Sequence, residues 1–278
     1  MINFKVDSTK CIRCSQCVND CPAHIIDMDE GVPFIKEGKE EECVKCQHCL
    51  AICPKGAVSI LGKSPENSIK TSNNFPNFSE MEVLTKGRRS VRKYKNENVD
   101  KELLSKLLST ALHAPTGVNS MAANFFVVDD KDVMNSIRLE VYKGIAQCVK
   151  NNSLPIDMNY YKDFLETWET YGIDNIFRQA PHMLIAAADA NQAHTPHEDC
   201  IIALSYFELL AASAGLGTVW CGLAVRAIST VLLDIKKRLG IPDNNSIEYV
   251  MMFGKPAVKY FRTIQKETES KIHSISFR

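Results

Sequence analysis

Apolar residues are spaced differently along different stretches of this 278-residue chain, and the clearest periodicity begins after residue 80. From Glu102 to His113, Leu103, Leu104, Leu107, Leu108, Ala111 and Leu112 mark one face of a helix. Asp100 sits where an N-cap belongs, and Pro115 where a helix stops. Asn124–Asp129 (NFFVVD), His182–Ala188 (HMLIAAA) and Ile247–Phe253 are short apolar runs that predict buried strands, the last ended by Gly254-Lys255-Pro256. Asp199–Ala214 is apolar on nearly every side, and Gly215 and Gly217 close it. A helix that is hydrophobic all round is buried, here in a subunit interface. Lys143–Phe177 mixes aromatic and polar residues and predicts helix with irregular stretches. The fold class expected is α+β: a mixed sheet with surrounding helices over residues 81–278.

Ahead of this lies Gly62–Glu80, rich in Ser, Asn, Gly and Pro, which predicts a linker or extended strap. Its nineteen residues reach roughly 60 Å at most when extended, so length does not fix where the first part docks. Residues 1–61 are expected as a separate small domain.

That domain holds a doubled cysteine run. Cys11, Cys14, Cys17 and Cys21-Pro22 form C-x2-C-x2-C-x3-C-P, and Cys43, Cys46, Cys49 and Cys53-Pro54 repeat it 32 positions later. Zinc sites favour paired C-x2-4-C ligands in sets of four, and disulfides suit secreted chains; neither accounts for two identical runs ending in Pro. The run resembles that of bacterial two-cluster ferredoxins, in which the cysteine before Pro ligates the other cluster. The resemblance implies a ferredoxin-like fold with two [4Fe-4S] clusters, one on Cys11, Cys14, Cys17 and Cys53, the other on Cys43, Cys46, Cys49 and Cys21.

Composition adds limits. Hydrophobic content is 45% and formal net charge is zero, so nothing argues for nucleic acid or an anionic membrane as partner. No run of 18 apolar residues predicts a membrane span. Met1–Lys10 is mixed polar, without the apolar region of a signal peptide. Cys148, Cys200 and Cys221 have no paired spacing; the first two are expected as small buried hydrophobes. Oxidation-sensitive clusters with free thiols point to a reducing cytoplasm. His113, His182, His194 and His197 are scattered and are expected to be structural. No G-x-G-x-x-G follows a strand and no P-loop occurs, so the usual sign of a dinucleotide domain is missing.

The remaining chemistry is basic. Lys86-Gly87-Arg88-Arg89-Ser90-Val91-Arg92-Lys93 places five cations and a hydroxyl within eight positions. Guanidinium forks and a hydroxyl suit a phosphate, although such a run alone is more often a solvated surface. Its company includes Ala114-Pro115-Thr116-Gly117-Val118-Asn119-Ser120, Ala180-Pro181-His182, Gly215-Leu216-Gly217-Thr218-Val219-Trp220-Cys221-Gly222 and Phe253-Gly254-Lys255-Pro256. In this order the segments resemble the nitroreductase family of FMN oxidoreductases over about residues 80–265, and the whole chain resembles ferredoxin-fused members. The resemblance implies a homodimer. It implies that Arg88, Arg89 and Ser90 hold the FMN phosphate and ribityl chain and that Arg92 lies near flavin N1 and O2. It further implies that Pro115, Thr116 and Asn119 line the flavin from the partner subunit and that Trp220, Cys221, Gly222 and Leu223 face the N5 side. Arg262, with Lys266, would add a C-terminal phosphate contact, although Thr263-Ile264-Gln265-Lys266 lacks the family's usual proline. Read without the resemblance, Asn119 is a turn residue, Trp220 a core residue and Arg92 an exposed ion-pair partner.

No acid–base pair or nucleophile dyad stands out, as befits an enzyme whose flavin N5 carries the reaction. The leading expectation is an FMN oxidoreductase fed through its own clusters by reduced ferredoxin or a similar donor, acting on a small-molecule acceptor such as a nitro compound or quinone. A second keeps NAD(P)H as donor, with the clusters exporting electrons. A third is a non-catalytic electron-carrier subunit of a larger redox complex.

Overall fold

The computed structural model describes every residue except Met1, Glu30, Leu233 and Arg278. The chain divides into two compact units, Met1–Pro76 and Asn77–Arg278.

In the first unit the sequence repeat becomes a structural one. Strand β1 (Lys5–Val6) pairs antiparallel with β4 (Val58–Ser59), and β2 (Ile26–Asp27) with β3 (Phe34–Ile35). Two one-turn helices, α1 (Gln16–Asn19) and α2 (His48–Ala51), carry Cys17 and Cys49 at matching places. Their flanks share a strained backbone: Arg13 and Ser15, and 32 residues on Lys45 and Gln47, all have φ between 56° and 61°. Ile2, Ile25, Ile26, Leu50, Val58 and Ile60 form a small apolar core with Cys17, Cys21 and Cys49. Such a core is small, as the size of the unit dictates.

The stretch expected as a linker, 62–80, is divided between the units. Residues 62–76 belong to the first: Lys63 bridges Ile60, a short 3-10 turn spans Pro65–Asn67, and Glu66 pairs with Lys10 at 2.9 Å. Helix α3 (Phe78–Gly87) then starts within the second unit. Asn77 Oδ1 accepts from the Glu80 N–H, and Glu80 Oε2 from the Asn77 N–H, a reciprocal cap that sets the start.

The second unit is built on a sheet ordered β5 (Ala123–Val128), β6 (His182–Asp189), β8 (Asn245–Gly254), β7 (Gly217–Trp220). The four strands pair antiparallel; one parallel bridge, Ser90 to Thr218, gives the sheet its mixed character. Every residue of β6 from His182 to Ala188 is buried because helices cover both faces. Side chains alternate along it. Met183 and Ile185 pack with α5 (Lys131–Lys150), α6 (Tyr161–Tyr171) and α8 (Gly222–Val231). Leu184, Ala186 and Ala188 pack with α4 (Lys101–Ala111) and α7 (Pro196–Ser213). Asp100 caps α4 by accepting from the Leu103 N–H.

The strand at Gly217–Trp220 is absent from the sequence reading, which gave Gly217 to the close of the preceding helix. Gly215, at φ 75°, ends α7, whereas Gly217 opens β7. A Cβ on Gly217 would lie 2.6 Å from the Val91 side chain, so glycine is needed for the basic segment to run alongside.

Candidate cofactor sites

In the first unit the eight cysteines line two separate cavities. One is bordered by Cys11, Cys14, Cys17 and Cys53, the other by Cys21, Cys43, Cys46 and Cys49. The fold thus sorts the thiols in the crossed manner that the ferredoxin resemblance implies. Among the described residues no three His, Cys, Asp or Glu side chains converge on a single-ion site. Arg13, Ser15, Lys45 and Gln47, between the cysteines, are left-handed, and alternation of such residues with right-handed ones is the backbone form that gathers N–H groups into an anion-binding concavity. Cys53 Sγ already accepts from the Ala57 N–H at 3.2 Å. Burial pushes the Cys49 thiol up to about 12, with Cys46 and Cys43 adding repulsion, and raises Cys17 for the same first reason. Thiols crowded in this way become thiolates readily only beside cationic metal.

In the second unit the basic turn after α3 is stapled to β7. Ser90 bridges Thr218, and the Val91 N–H donates to the Thr218 carbonyl at 2.8 Å. Ser90 thus lies beside the strand that leads into Trp220, Cys221, Gly222 and Leu223, and Arg88 and Trp220 share Glu208 as acceptor. The three arginines differ. Arg88 is half-buried and gives one nitrogen to Glu208 Oε1 at 3.0 Å. Arg89 turns back to the end of α3, donating to the Lys86 carbonyl at 2.8 Å. Arg92 is exposed and donates to the Ser90 carbonyl at 3.3 Å. Arg88 keeps further guanidinium donors, and Ser90 adds a hydroxyl, so the donor set suits a phosphate.

Trp220 donates its indole N–H to Glu208 at 3.0 Å and packs edge-on against Tyr249. Cys221 is buried; its thiol donates to the Ile176 carbonyl at 3.0 Å, and burial pushes it up to about 11. It is a neutral packing group, so only its backbone is suited to face a cofactor. Gly222 is exposed at the start of α8, and the Leu223 carbonyl accepts from Tyr161 Oη at 2.6 Å.

The loop Pro115–Ser120 lies elsewhere on the same subunit. The Gly117 N–H donates to Asp199 Oδ1 at 2.9 Å, and a Cβ on Gly117 would sit 2.5 Å from Thr195 Oγ1. Pro115, Thr116 and Asn119 therefore belong to the N-terminal end of α7, whereas Arg88 and Trp220 meet Glu208 nine residues further along it. At 1.5 Å per residue the two groups are about 14 Å apart along the helix. Arg262 and Lys266 lie in the exposed stretch after β8.

Three carboxylates have roles the sequence reading did not foresee: Glu208, Asp199 and Asp174. Asp174 is fully buried and accepts from Arg138 Nε (2.7 Å), Tyr142 Oη (3.0 Å) and the N–H groups of Ile176, Phe177 and Gln179. Glu208 could have been suspected, because it is the single charged residue between Asp199 and Ala214 in an apolar helix. A lone buried charge demands partners.

These features place the chain among oxidoreductases that join iron–sulfur and flavin cofactors. Comparison with known proteins agrees. A 4Fe-4S dicluster domain matches residues 10–58, and the nitroreductase family matches residues 85–255. The chain belongs to the nitroreductase family, as an FMN oxidoreductase with a 4Fe-4S ferredoxin domain. An FMN-bound nitroreductase from Desulfitobacterium hafniense DCB-2 is similar over 73% of this chain and 100% of its own, with 25% identity and a TM-score of 0.57. An FMN-dependent nitroreductase from Clostridium difficile R20291 shares 26% identity over 71% of this chain and 100% of its own, with a TM-score of 0.50. A relative from Methanothermobacter thermautotrophicus, provisionally named an NADH dehydrogenase/NAD(P)H nitroreductase, is 27% identical over 184 residues, 64% of this chain and 80% of the relative. Among the described residues no helix is long and apolar enough to cross a membrane.

Proposed function

We propose that the protein takes electrons from a low-potential donor such as reduced ferredoxin and reduces a small organic acceptor, a nitro compound or quinone, in a reducing cytoplasm. The observation that carries this reading is the sorting of eight cysteines into two crossed sets of four, on the same chain as a nitroreductase domain. Iron–sulfur clusters pass single electrons and FMN exchanges two at N5, so the pair joins a one-electron donor to a two-electron acceptor.

Each set of four thiols would hold one [4Fe-4S] cluster, Cys53 and Cys21 being the crossed ligands. Arg88 and Ser90 would hold the FMN phosphate, with Arg89 bracing the turn from behind. Arg92, exposed beside them, would place a cation at the N1/O2 edge, which favours the anionic reduced flavin. The backbone of Trp220, Cys221, Gly222 and Leu223 would face N5.

Pro115, Thr116 and Asn119 would complete the pocket of a second copy, because on their own subunit they lie at the far end of α7 from Arg88. The outer side of α7 supports a homodimer: Ile202 and Leu209 are half-exposed, Tyr206 is 42% exposed, and together they form an apolar stripe. Arg262 is proposed as a phosphate contact only within that dimer.

The name of the archaeal relative favours a second reading, in which NAD(P)H reduces the flavin directly. Anaerobic stopped-flow with reduced ferredoxin, NADH and NADPH as separate donors tests the proposal. Rapid flavin reduction by ferredoxin and slow reduction by both nicotinamides is the outcome expected. The reverse order would replace the proposal with the second reading.

A further inference from the structure

Glu208 is an anomaly in α7. Its neighbours Phe207, Leu209 and Leu210 are apolar, and its side chain is only 11% exposed. A carboxylate kept there costs free energy unless its oxygens are filled. One oxygen, Oε1, accepts from three donors: Arg88 Nη1 at 3.0 Å, Trp220 Nε1 at 3.0 Å and Thr218 Oγ1 at 3.4 Å. Arg88 comes from the basic turn, and Thr218 and Trp220 from β7. The carboxylate is therefore the point at which the turn and the strand edge are tied together by side chains.

The geometry points to Glu208 as a positioning residue for the flavin: it orients the Arg88 guanidinium toward the FMN phosphate. This rests on the proposed role of Arg88. A guanidinium is a rigid fork, so holding one nitrogen on Glu208 sets the direction of its other donors. An Arg without that anchor samples many rotamers, and ordering it must then be paid from FMN binding. Because Glu208 touches the phosphate only through Arg88, its influence on affinity should vanish when Arg88 is absent. A purely structural carboxylate would act independently of Arg88, and the two effects would add.

The test is a double-mutant cycle on the full-length dimer, reading FMN dissociation constants by flavin fluorescence with thermal melting in parallel. Glu208→Ala should raise the FMN Kd about tenfold, and Glu208→Gln, which keeps an acceptor oxygen, about threefold. In an Arg88→Ala background the Glu208→Ala effect should shrink to less than about twofold. Should Glu208→Ala fail to fold, the Glu208→Gln cycle is read in the same way, its threefold effect collapsing toward unity. Full additivity would make Glu208 structural and overturn the inference. Tighter FMN binding by Glu208→Gln would also overturn it, by making the carboxylate a competitor of the phosphate. If Arg88→Ala alone leaves FMN affinity unchanged, the phosphate role of Arg88 falls and the inference falls with it. That outcome is distinguishable from failure of the coupling alone.

Discussion

Replacing Asp174 by Asn should destabilise the flavin unit by about 3–5 kcal/mol, the cost of breaking a buried ion pair at one partner. The figure follows from the contacts. With the amide oxygen at Oδ1, the bonds from Tyr142, Ile176 and Phe177 survive. The amide nitrogen then replaces Oδ2 and faces two donors, Arg138 Nε and the Gln179 N–H. One lost bond is charge-assisted, worth about 1.5–3 kcal/mol, and the other is neutral, worth about 1. Arg138 keeps Ala180 and Asn135 as acceptors but loses its counter-ion while its side chain is 9% exposed. Set against a typical domain stability of about 5–15 kcal/mol, the loss is severe. Urea unfolding of the full-length protein, followed by tryptophan fluorescence, measures it. The loop should also loosen at Ile176, whose carbonyl receives the Cys221 thiol. A change below about 1 kcal/mol would refute the reasoning, because it would mean that the buried charge is solvated or the network is dispensable.

Four further outcomes are expected. Iron and sulfide analysis of anaerobically prepared protein should give about eight of each per chain, the content of two four-iron clusters; stoichiometric zinc would contradict this. Cys21→Ser should damage the cluster held by Cys43, Cys46 and Cys49 and spare that of its own sequence neighbours, as the two cavities require, which electron paramagnetic resonance can distinguish. Arg88→Ala should weaken FMN binding by about 1.5–3 kcal/mol, the range of a charge-assisted hydrogen bond, and unchanged affinity would make Arg88 a counter-ion of Glu208 alone. Cys200 and Cys221, pushed by burial up to about 12 and about 11, stay neutral thiols at pH 8 and form thiolate only as pH approaches those values; pulsed alkylation at pH 8 should label them only after denaturation.

The cysteine sets were legible because their spacing is local and chemically demanding, and the fold brings Cys53 and Cys21 across as the pattern implies. Strands β6 and β8 and helix α4 were legible for a different reason: long apolar runs and an Asp cap leave few alternatives. Strand β7 was not, because four residues opening with glycine carry no periodicity. The same shortness hid the parallel bridge that sets Ser90 beside Thr218. The polar composition of 62–80 suggested a linker, yet the Lys10–Glu66 pair is a tertiary contact that composition cannot reveal. Glu208 and Asp174 illustrate the general limit. Each is a single carboxylate whose role depends on donors 10 to 120 residues away along the chain or in a loop of left-handed turns.

The central claim is that electrons reach the flavin through the cysteine-bound clusters. A chain of residues 77–278 retains the Asn77–Glu80 cap and the whole second unit, so it is expected to fold, dimerise and bind FMN. Covalent attachment raises the effective concentration of donor beside acceptor to about millimolar, a gain the shortened chain forfeits. Anaerobic stopped-flow with reduced ferredoxin on both chains is the most direct measurement. The account predicts fast flavin reduction in the full-length protein and loss of most of that rate in residues 77–278, with any direct reaction with NAD(P)H retained. Equal rates from ferredoxin in the two chains would contradict it.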